Sequence, residues 1–384
     1  MSRMRCLARL WVVLVVLVPV VEVIGAEAAP AAPAPVAPAA PAPVAPAVPA
    51  PVAPDVPAPV APAVPVPVAP APAAPTQESI WADHMKAADS ALKTQDYPKA
   101  EAELMAAVKV AEGIEDKTQR LISSLAMQVQ AYAVQAKHAD AIGPGKRLAA
   151  VCEKTYGADH LTVAAALNDL AGQYKDLKKF DEAIPLYTRS LAIGEKGGAR
   201  GVPLAAMVLD NLAQAYRDQG NLDDAEKNAA RSLAIRTQLY GTGHGSYADS
   251  LRTVATIQAA RGKHAEAEAM FRQVLAIRRK TQSWNRPVMI RALIDVADAC
   301  KAQGNFESAE ILYKAALRAG EGGLGRNDEV RAEMYEGYAD LLKTLKRDDE
   351  AGQMTEQAQI IRNRLAGPGG PPAGPGGPPA GPGK

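Results

Sequence analysis

Three cysteines among 384 residues are too few for a disulfide framework, and Cys6, Cys152 and Cys300 form no CxxC metal knuckle. Isolated in this way, Cys152 and Cys300 are expected to be small buried hydrophobes. Aromatic residues make up only 4%, and phenylalanine occurs three times. Net charge is also missing. The formal total is +1, and acidic and basic side chains balance across residues 77–365. A neutral domain exerts no bulk attraction on phosphate backbones, so nucleic acid is not an expected partner. The motifs GxxxxGK[ST], GxSxG and HExxH are absent, which removes the P-loop, nucleophile-elbow and metalloprotease signatures. The apolar run LWVVLVVLVPVV, from Leu10 to Val21, is shorter than the ~20 residues that span a bilayer.

That run follows Arg3, Arg5 and Arg9 and precedes the small-residue triplet Ala26, Glu27, Ala28. The order of charge, apolar stretch and small residues predicts a secretory signal over residues 1–26, and so an exported protein, periplasmic, cell-envelope or secreted. The alternative is an uncleaved signal anchor and a single-pass membrane protein. Cys6 precedes the apolar run, whereas a bacterial lipidation site would follow it, which argues against a lipoprotein.

Proline is abundant, and it is segregated. Of 31 prolines, 18 lie between Pro30 and Pro75, and seven more lie in the last nineteen residues. From Ala32 to Ala71 an octad is written five times without a gap: APAPVAPA, APAPVAPA, VPAPVAPD, VPAPVAPA, VPVPVAPA. Proline fixes φ, lacks an N–H and restricts the residue before it, so helix interiors and sheet ladders are excluded. Residues 27–76 are therefore expected to be a stiff polyproline II spacer, its forty octad residues reaching on the order of 120 Å. The same segment is also a possible PxxP ligand. Residues 366–384, AGPGGPPAGPGGPPAGPGK, have no glycine at every third place and predict a flexible Gly/Pro-rich tail instead of collagen. The globular part is then 77–365.

This middle repeats with a period of 42. Leu125, Leu167, Leu209, Leu251 and Leu293 keep that spacing. So do Ala171, Ala213, Ala255, Ala297 and Ala339, and so do Ala141, Ala183, Ala225, Ala267, Ala309 and Ala351. Tyr132, Tyr174 and Tyr216 share the phase. Within a unit, apolar residues recur at three and four: Leu209, Leu212, Ala213 and Tyr216 on one helical face, Leu222, Ala225, Ala229 and Leu233 on another. Gly220, Gly262 and Gly304 mark the turn between the two helices, and Gly157 and Gly241 mark the end of the second. Each unit is a helical hairpin that must stack on its neighbours to bury its apolar face. GPG at residues 143–145 predicts a kink or a late helix start in one second helix.

The stretches LNDLAGQY…FDEAIPLYTRSLAI (Leu167 to Ile193) and LDNLAQAYRDQGNLDDAEKNAARSLAI (Leu209 to Ile235) resemble the tetratricopeptide repeat (TPR), in the 42-residue form found in kinesin light chains. YGADHLTVAAALNDLA (Tyr156 to Ala171) is similar to that family's inter-repeat segment. The resemblance implies an all-α fold, a TPR-type α-solenoid in which about seven hairpins form a right-handed superhelix. It also implies a concave groove, lined by the first helices, that binds peptide or protein partners. The phase of the apolar face places Asn168, Lys175, Asp210, Asn211, Gln214, Arg217, Arg252 and Arg291 there, where amides and guanidinium groups suit peptide backbones and carboxylates. The lysine and asparagine pattern of members that clamp a C-terminal carboxylate is missing. In the last hairpin Lys346 and Asp348 replace the turn glycine and an apolar residue, as a polar capping unit requires.

Chemistry finds no foothold. Asp223 and Lys227, then Glu268 and Arg272, are four apart with the acid first, the spacing of exposed ion pairs on a helix. His160 and His244 occupy matching loops 84 residues apart, two whole periods, which the repeat explains better than a shared metal. No catalytic residue, metal site or cofactor is expected. The function this predicts is that of an exported, non-enzymatic interaction scaffold. The alternative is an envelope-anchored structural or sensory protein that retains its N-terminal helix.

Overall fold

A computed structural model describes residues 76–115, 118–282, 285–321 and 329–366. The expected signal segment (1–26), the octad segment expected to be a spacer (27–76, except residue 76) and nearly all of the Gly/Pro-rich tail lie outside the described residues. Those residues contain fourteen helices and no strand. The helices form seven hairpins: α1 (Gln77–Thr94) with α2 (Tyr97–Gly113), α3 (Thr118–Ala133) with α4 (His138–Tyr156), and α5 (Leu161–Asp176) with α6 (Phe180–Lys196). Next come α7 (Gly198–Gln219) with α8 (Leu222–Tyr240) and α9 (Gly245–Ala260) with α10 (His264–Thr281). The last two are α11 (Arg286–Ala302) with α12 (Phe306–Glu321) and α13 (Glu329–Thr344) with α14 (Asp348–Ala366). Each helix packs on the next in chain order, which is the neighbour-only contact pattern of an α-solenoid.

The three periodic lines are core. Ala141, Ala183, Ala225, Ala267 and Ala309 are wholly enclosed, as are Ala171, Ala213, Ala255 and Ala297, and the leucine line is buried throughout. A methyl group at these crossings lets two helix backbones approach closely, and a larger side chain there overpacks the contact. No helix among the described residues is long and apolar enough to cross a membrane.

The hairpin turn is also periodic, beyond the glycines that mark it in sequence. Gln95, Ala136, Lys178, Gly220, Gly262, Gly304 and Lys346 all have φ between +56° and +92°. The residue after each donates its N–H to a carbonyl five positions back, as Asn221 does to Tyr216 and Arg347 to Leu342, both at 2.9 Å. This is the Schellman arrangement, which satisfies the last carbonyls of the first helix. Four of the seven turns hold a side chain in the left-handed region, at a cost of about 1 kcal/mol each. Gln95 and Ala136 are 41 residues apart, so the first hairpin is one residue out of register.

α4 begins at His138 and runs on through Pro144, so the helix does not start late. Gly145 explains part of that sequence. A Cβ there would stand 3.1 Å from Leu170 Cδ1, so the leucine of the next hairpin fills the space a side chain would occupy.

The apolar core is not continuous along the stack. One large cluster runs from Val108 to Ala215 and a second from Tyr247 to Ala351. Between them lie Ala213, Ala225, Ala229 and Ile257, flanked by the partly buried Tyr216 and Val254, together with a buried polar network. In that network Arg236 meets Asp210 at 2.9 Å and Asp249 at 3.4 Å, and Arg278 also pairs with Asp249.

Candidate functional site

First helices touch one another across repeat boundaries: α5 lies against α7, α7 against α9, and α11 against α13. The layer whose helices meet in this way is the inner side of the stack, and its surface is the candidate groove.

The structure places the eight expected residues as follows. Asn211 Nδ2 donates to Asn168 Oδ1 at 2.9 Å, so the two amides bridge α5 and α7, with Asn168 buried. Arg252 crosses from α9 to α11, its Nη2 donating to Asp295 Oδ1 at 2.9 Å. Burial works to lower the Arg252 guanidinium, and Asp295 overrides it and holds the group above its ordinary value. Arg291 meets Glu333 of α13 at 2.6 Å. Lys175 and Arg217 each hold the next residue in sequence, Asp176 at 3.2 Å and Asp218 at 2.6 Å. Gln214 is partly exposed and makes no hydrogen bond among the described residues.

Asp210 does not line the groove. It is 5% exposed, and its Oδ2 accepts from Arg236 at 2.9 Å and from the Ser250 hydroxyl at 2.9 Å. Helical phase alone puts it on the inner face, but an arginine from α8 draws the carboxylate into the packing between repeats. Burial lifts its carboxyl to about 6, against the opposing pull of Arg236, Ser232 and Ser250. The other oxygen, Oδ1, is enclosed with no donor.

The basic groups on this face are therefore matched by acids of the protein itself, and the surplus is acidic. Asp169, on α5, is partly buried and has one weak partner, the Asn168 amide at 3.3 Å. Burial raises its carboxyl to about 6, with the amide working the other way. Beneath the same helix stands Tyr187 of α6. Burial pushes its hydroxyl far above the ordinary range, and the charges of Asp176, Asp169 and Asp218 add to the effect. Neither Asp169 nor Tyr187 is among the residues picked out by sequence. The available signal is Gly172, a glycine in the line that holds Gln130, Gln214, Thr256, Asp298 and Asp340 in other repeats.

Outside the groove, the remaining polar features have structural roles. His160 and His244 are helix N-caps: their Nδ1 atoms accept from Thr162 N–H at 3.2 Å and Ser246 N–H at 3.1 Å. Their rings stack on Tyr156 and Tyr240 with centroids 4.8 and 4.7 Å apart. The Glu268–Arg272 pair forms at 2.6 Å. Asp223 turns away from Lys227 to Arg261 of the next hairpin at 2.5 Å, and Glu226 joins the same guanidinium at 3.0 Å. The helix spacing offered Asp223 a partner, but a neighbouring repeat supplies a forked donor in better position. No group of three His, Cys, Asp or Glu able to hold a metal occurs among the described residues. A cavity of about 200 Å³ lies at the end of the stack, between α13 and α14.

A family profile described as tetratricopeptide repeat matches residues 128–196 and 204–280. Searched against curated proteins, the sequence finds no match. Among solved structures, a putative kinesin light chain from Podosopora anserina with nearly identical TPR-like repeats is 23% identical. It covers 54% of this chain and 97% of its own, with a TM-score of 0.44. A Rap protein complexed with competence and sporulation factor is 12% identical over 76% of this chain and 78% of its own, with a TM-score of 0.57. The Rap conjugation gene regulator of plasmid pLS20, in complex with a Phr peptide, is 12% identical over 75% of each chain, with a TM-score of 0.52. For the two Rap proteins, at these identities, the likeness is one of fold.

Proposed function

This chain is a tetratricopeptide-repeat protein, and from that premise we propose that it is a non-enzymatic scaffold that binds an extended peptide segment of a partner along the first helices. The observation that carries the reading is the inner face itself. Its first helices are joined across repeats by Asn168–Asn211, Arg252–Asp295 and Arg291–Glu333, so polar side chains are held on a rigid surface before any ligand arrives. Preorganisation of this kind lowers the entropic cost of ordering the groove's own side chains on binding. Two proteins of the same fold are described as complexes with a factor and with a Phr peptide, which supports a peptide-binding use of the stack.

Export is the second part of the proposal. It is supported by the order of three arginines, an apolar run and small residues at the start of the sequence. Mass spectrometry of the mature protein tests this: a chain beginning near Ala29 supports cleavage, and one beginning at Met1 or Ser2 replaces it with the anchored alternative.

The groove is tested by site-specific photo-crosslinking in the full chain. A photoreactive residue at Gln214 is expected to capture a partner that the same residue at Ile311, an exposed position on a second helix, does not. Capture at Ile311 and not at Gln214 moves the binding face to the outer layer and ends the groove assignment.

A further inference from the structure

On the inner face a tyrosine hydroxyl makes no hydrogen bond among the described residues, and the position above it carries no side chain. Tyr187 is 1% exposed, and its hydroxyl has no hydrogen bond among the described residues. It comes up beneath Gly172 of α5: a Cβ built on that glycine would stand 3.6 Å from Tyr187 Oη, and no Cβ is there. The repeat supplies its own control. Tyr313 occupies the corresponding place three units later, and its hydroxyl donates to Asp298 at 2.5 Å. Asp298 is the residue that matches Gly172 in phase. Where the later repeat completes the tyrosine with a carboxylate from above, the earlier one leaves a gap over a hydroxyl.

Three acidic side chains lie around that hydroxyl, two of them held by cations. Asp169, Asp176 and Asp218 all lie near enough to Tyr187 to act on its hydroxyl. Lys175 holds Asp176, and Arg217 holds Asp218. Asp169 has no cation, only the Asn168 amide at 3.3 Å. The site is thus a hydroxyl acceptor and an unneutralised carboxylate around a space vacated by one side chain. That constellation suits a compact cation: an ammonium offers three donors and a full charge, while a ligand carboxylate would meet Asp169 with like charge.

We propose that the gap at Gly172 is a subsite for a lysine side chain of the bound peptide, its ammonium donating to Tyr187 Oη and to the Asp169 carboxylate. The proposal rests on the groove reading above and gives it a direction: the partner presents lysine, not a C-terminal carboxylate or an acidic motif, to the third and fourth repeats. Asn211, which donates its amide N–H to Asn168, keeps its own side-chain carbonyl to accept from the peptide backbone.

The experiment uses the immobilised full chain and short acetylated, amidated peptide libraries. Their central residue is fixed as lysine, arginine, alanine or glutamate, and their flanks are randomised over uncharged residues. Retention is read by mass spectrometry. The lysine library is expected to be held about tenfold better than the alanine and glutamate libraries, the range for a charge-assisted hydrogen bond in a partly desolvated site. Asp169→Asn and Gly172→Gln are each expected to abolish that preference. The first is isosteric and the second repeats the residue found at Gln214, so neither threatens the fold. Tyr187→Phe, which removes only the hydroxyl, is expected to reduce the preference. Thermal unfolding of all three variants confirms that they are folded. A glutamate preference, an arginine library held better than lysine, or a lysine preference unchanged in Asp169→Asn overturns the subsite. If all four libraries are retained equally by every variant, the groove stands and the subsite falls; if none is retained, both fall.

Discussion

Asp210 gives the sharpest test of the physical account, because two forces on it point in opposite directions. Its carboxylate is buried at the break between the two apolar clusters, 2.9 Å from Arg236. An ion pair favours the charged form and lowers a carboxyl pKa. Desolvation raises it, and here desolvation prevails, because Oδ1 is enclosed without a donor, and the carboxyl stands at about 6. The sign of the pH dependence follows. A carboxyl raised in the folded state contributes stability that is fully present below its unfolded value of about 3.9 and is lost as pH rises through about 6. Compared with Asp210→Asn, which cannot titrate, the natural protein should gain about 1.4 kcal/mol on going from pH 7.5 to pH 5, one pH unit below the folded value. Asp210→Ala is a different perturbation, since it leaves Arg236 buried with the Ser246 carbonyl at 2.8 Å and the more distant Asp249. Breaking a buried pair costs about 3 kcal/mol at the lower end of the usual range, which is apt because Arg236 keeps partial company. A repeat array need not unfold in one step, so urea titrations should be paired with hydrogen exchange of the α7, α8 and α9 amides at both pH values. If acidification instead lowers the stability of the natural protein relative to Asp210→Asn, the ion pair prevails and the desolvation argument is refuted.

The periodic turns make a second prediction. Lys178→Gly and Lys346→Gly relieve a side chain held at positive φ and should each stabilise by up to about 1 kcal/mol, whereas Gly220→Ala should cost about the same. Urea midpoints read both. The histidine caps make a third: His160→Ala removes the acceptor for the Thr162 N–H and should cost about 1 kcal/mol, while His160→Asn, which supplies another short acceptor, should recover most of it. The thiols make a fourth. Cys152 and Cys300 are buried, and burial lifts the Cys152 thiol to about 11, so in a Cys6→Ser background neither should react with a disulfide reagent until denaturant is added.

The fold was legible because its constraints repeat. A solenoid asks the same packing question in every unit, so Leu209 and Ala213 carry the signal of their counterparts 42 residues away, and all of these prove buried. The turns were only partly legible. Three carry glycine, which announces a left-handed residue, but Ala136 and Lys178 adopt the same backbone with no such mark, because the Schellman bonds of the hairpin enforce it. The groove was less legible still. Helical phase tells which face a side chain leaves from, and it places Gln214 and Arg252 correctly on first helices. It does not tell which partner the side chain finds, and so it missed that Arg236 takes Asp210 out of play and that Asp295 and Glu333 neutralise Arg252 and Arg291. Those pairs join residues 26 to 43 positions apart, beyond any local pattern.

The places where the chain leaves its own period then matter more than the places where it keeps it. Residues that hold the stack together are under the same demand in every repeat, so they converge on alanine, leucine and a left-handed turn. A residue that recognises a ligand is under a demand peculiar to one unit, and it shows as a break in a column. Gly172 breaks a column of polar residues, and a carboxylate and a hydroxyl without full partners lie beside the break. Asp210 and Arg236 break the alternation of apolar cluster with apolar cluster, and the result is a buried polar seam. The first departure opens a space and the second closes one. The subsite proposed at Gly172 follows that rule: it lies in the third repeat, where the column breaks, while the other hairpins keep the columns that hold the stack together.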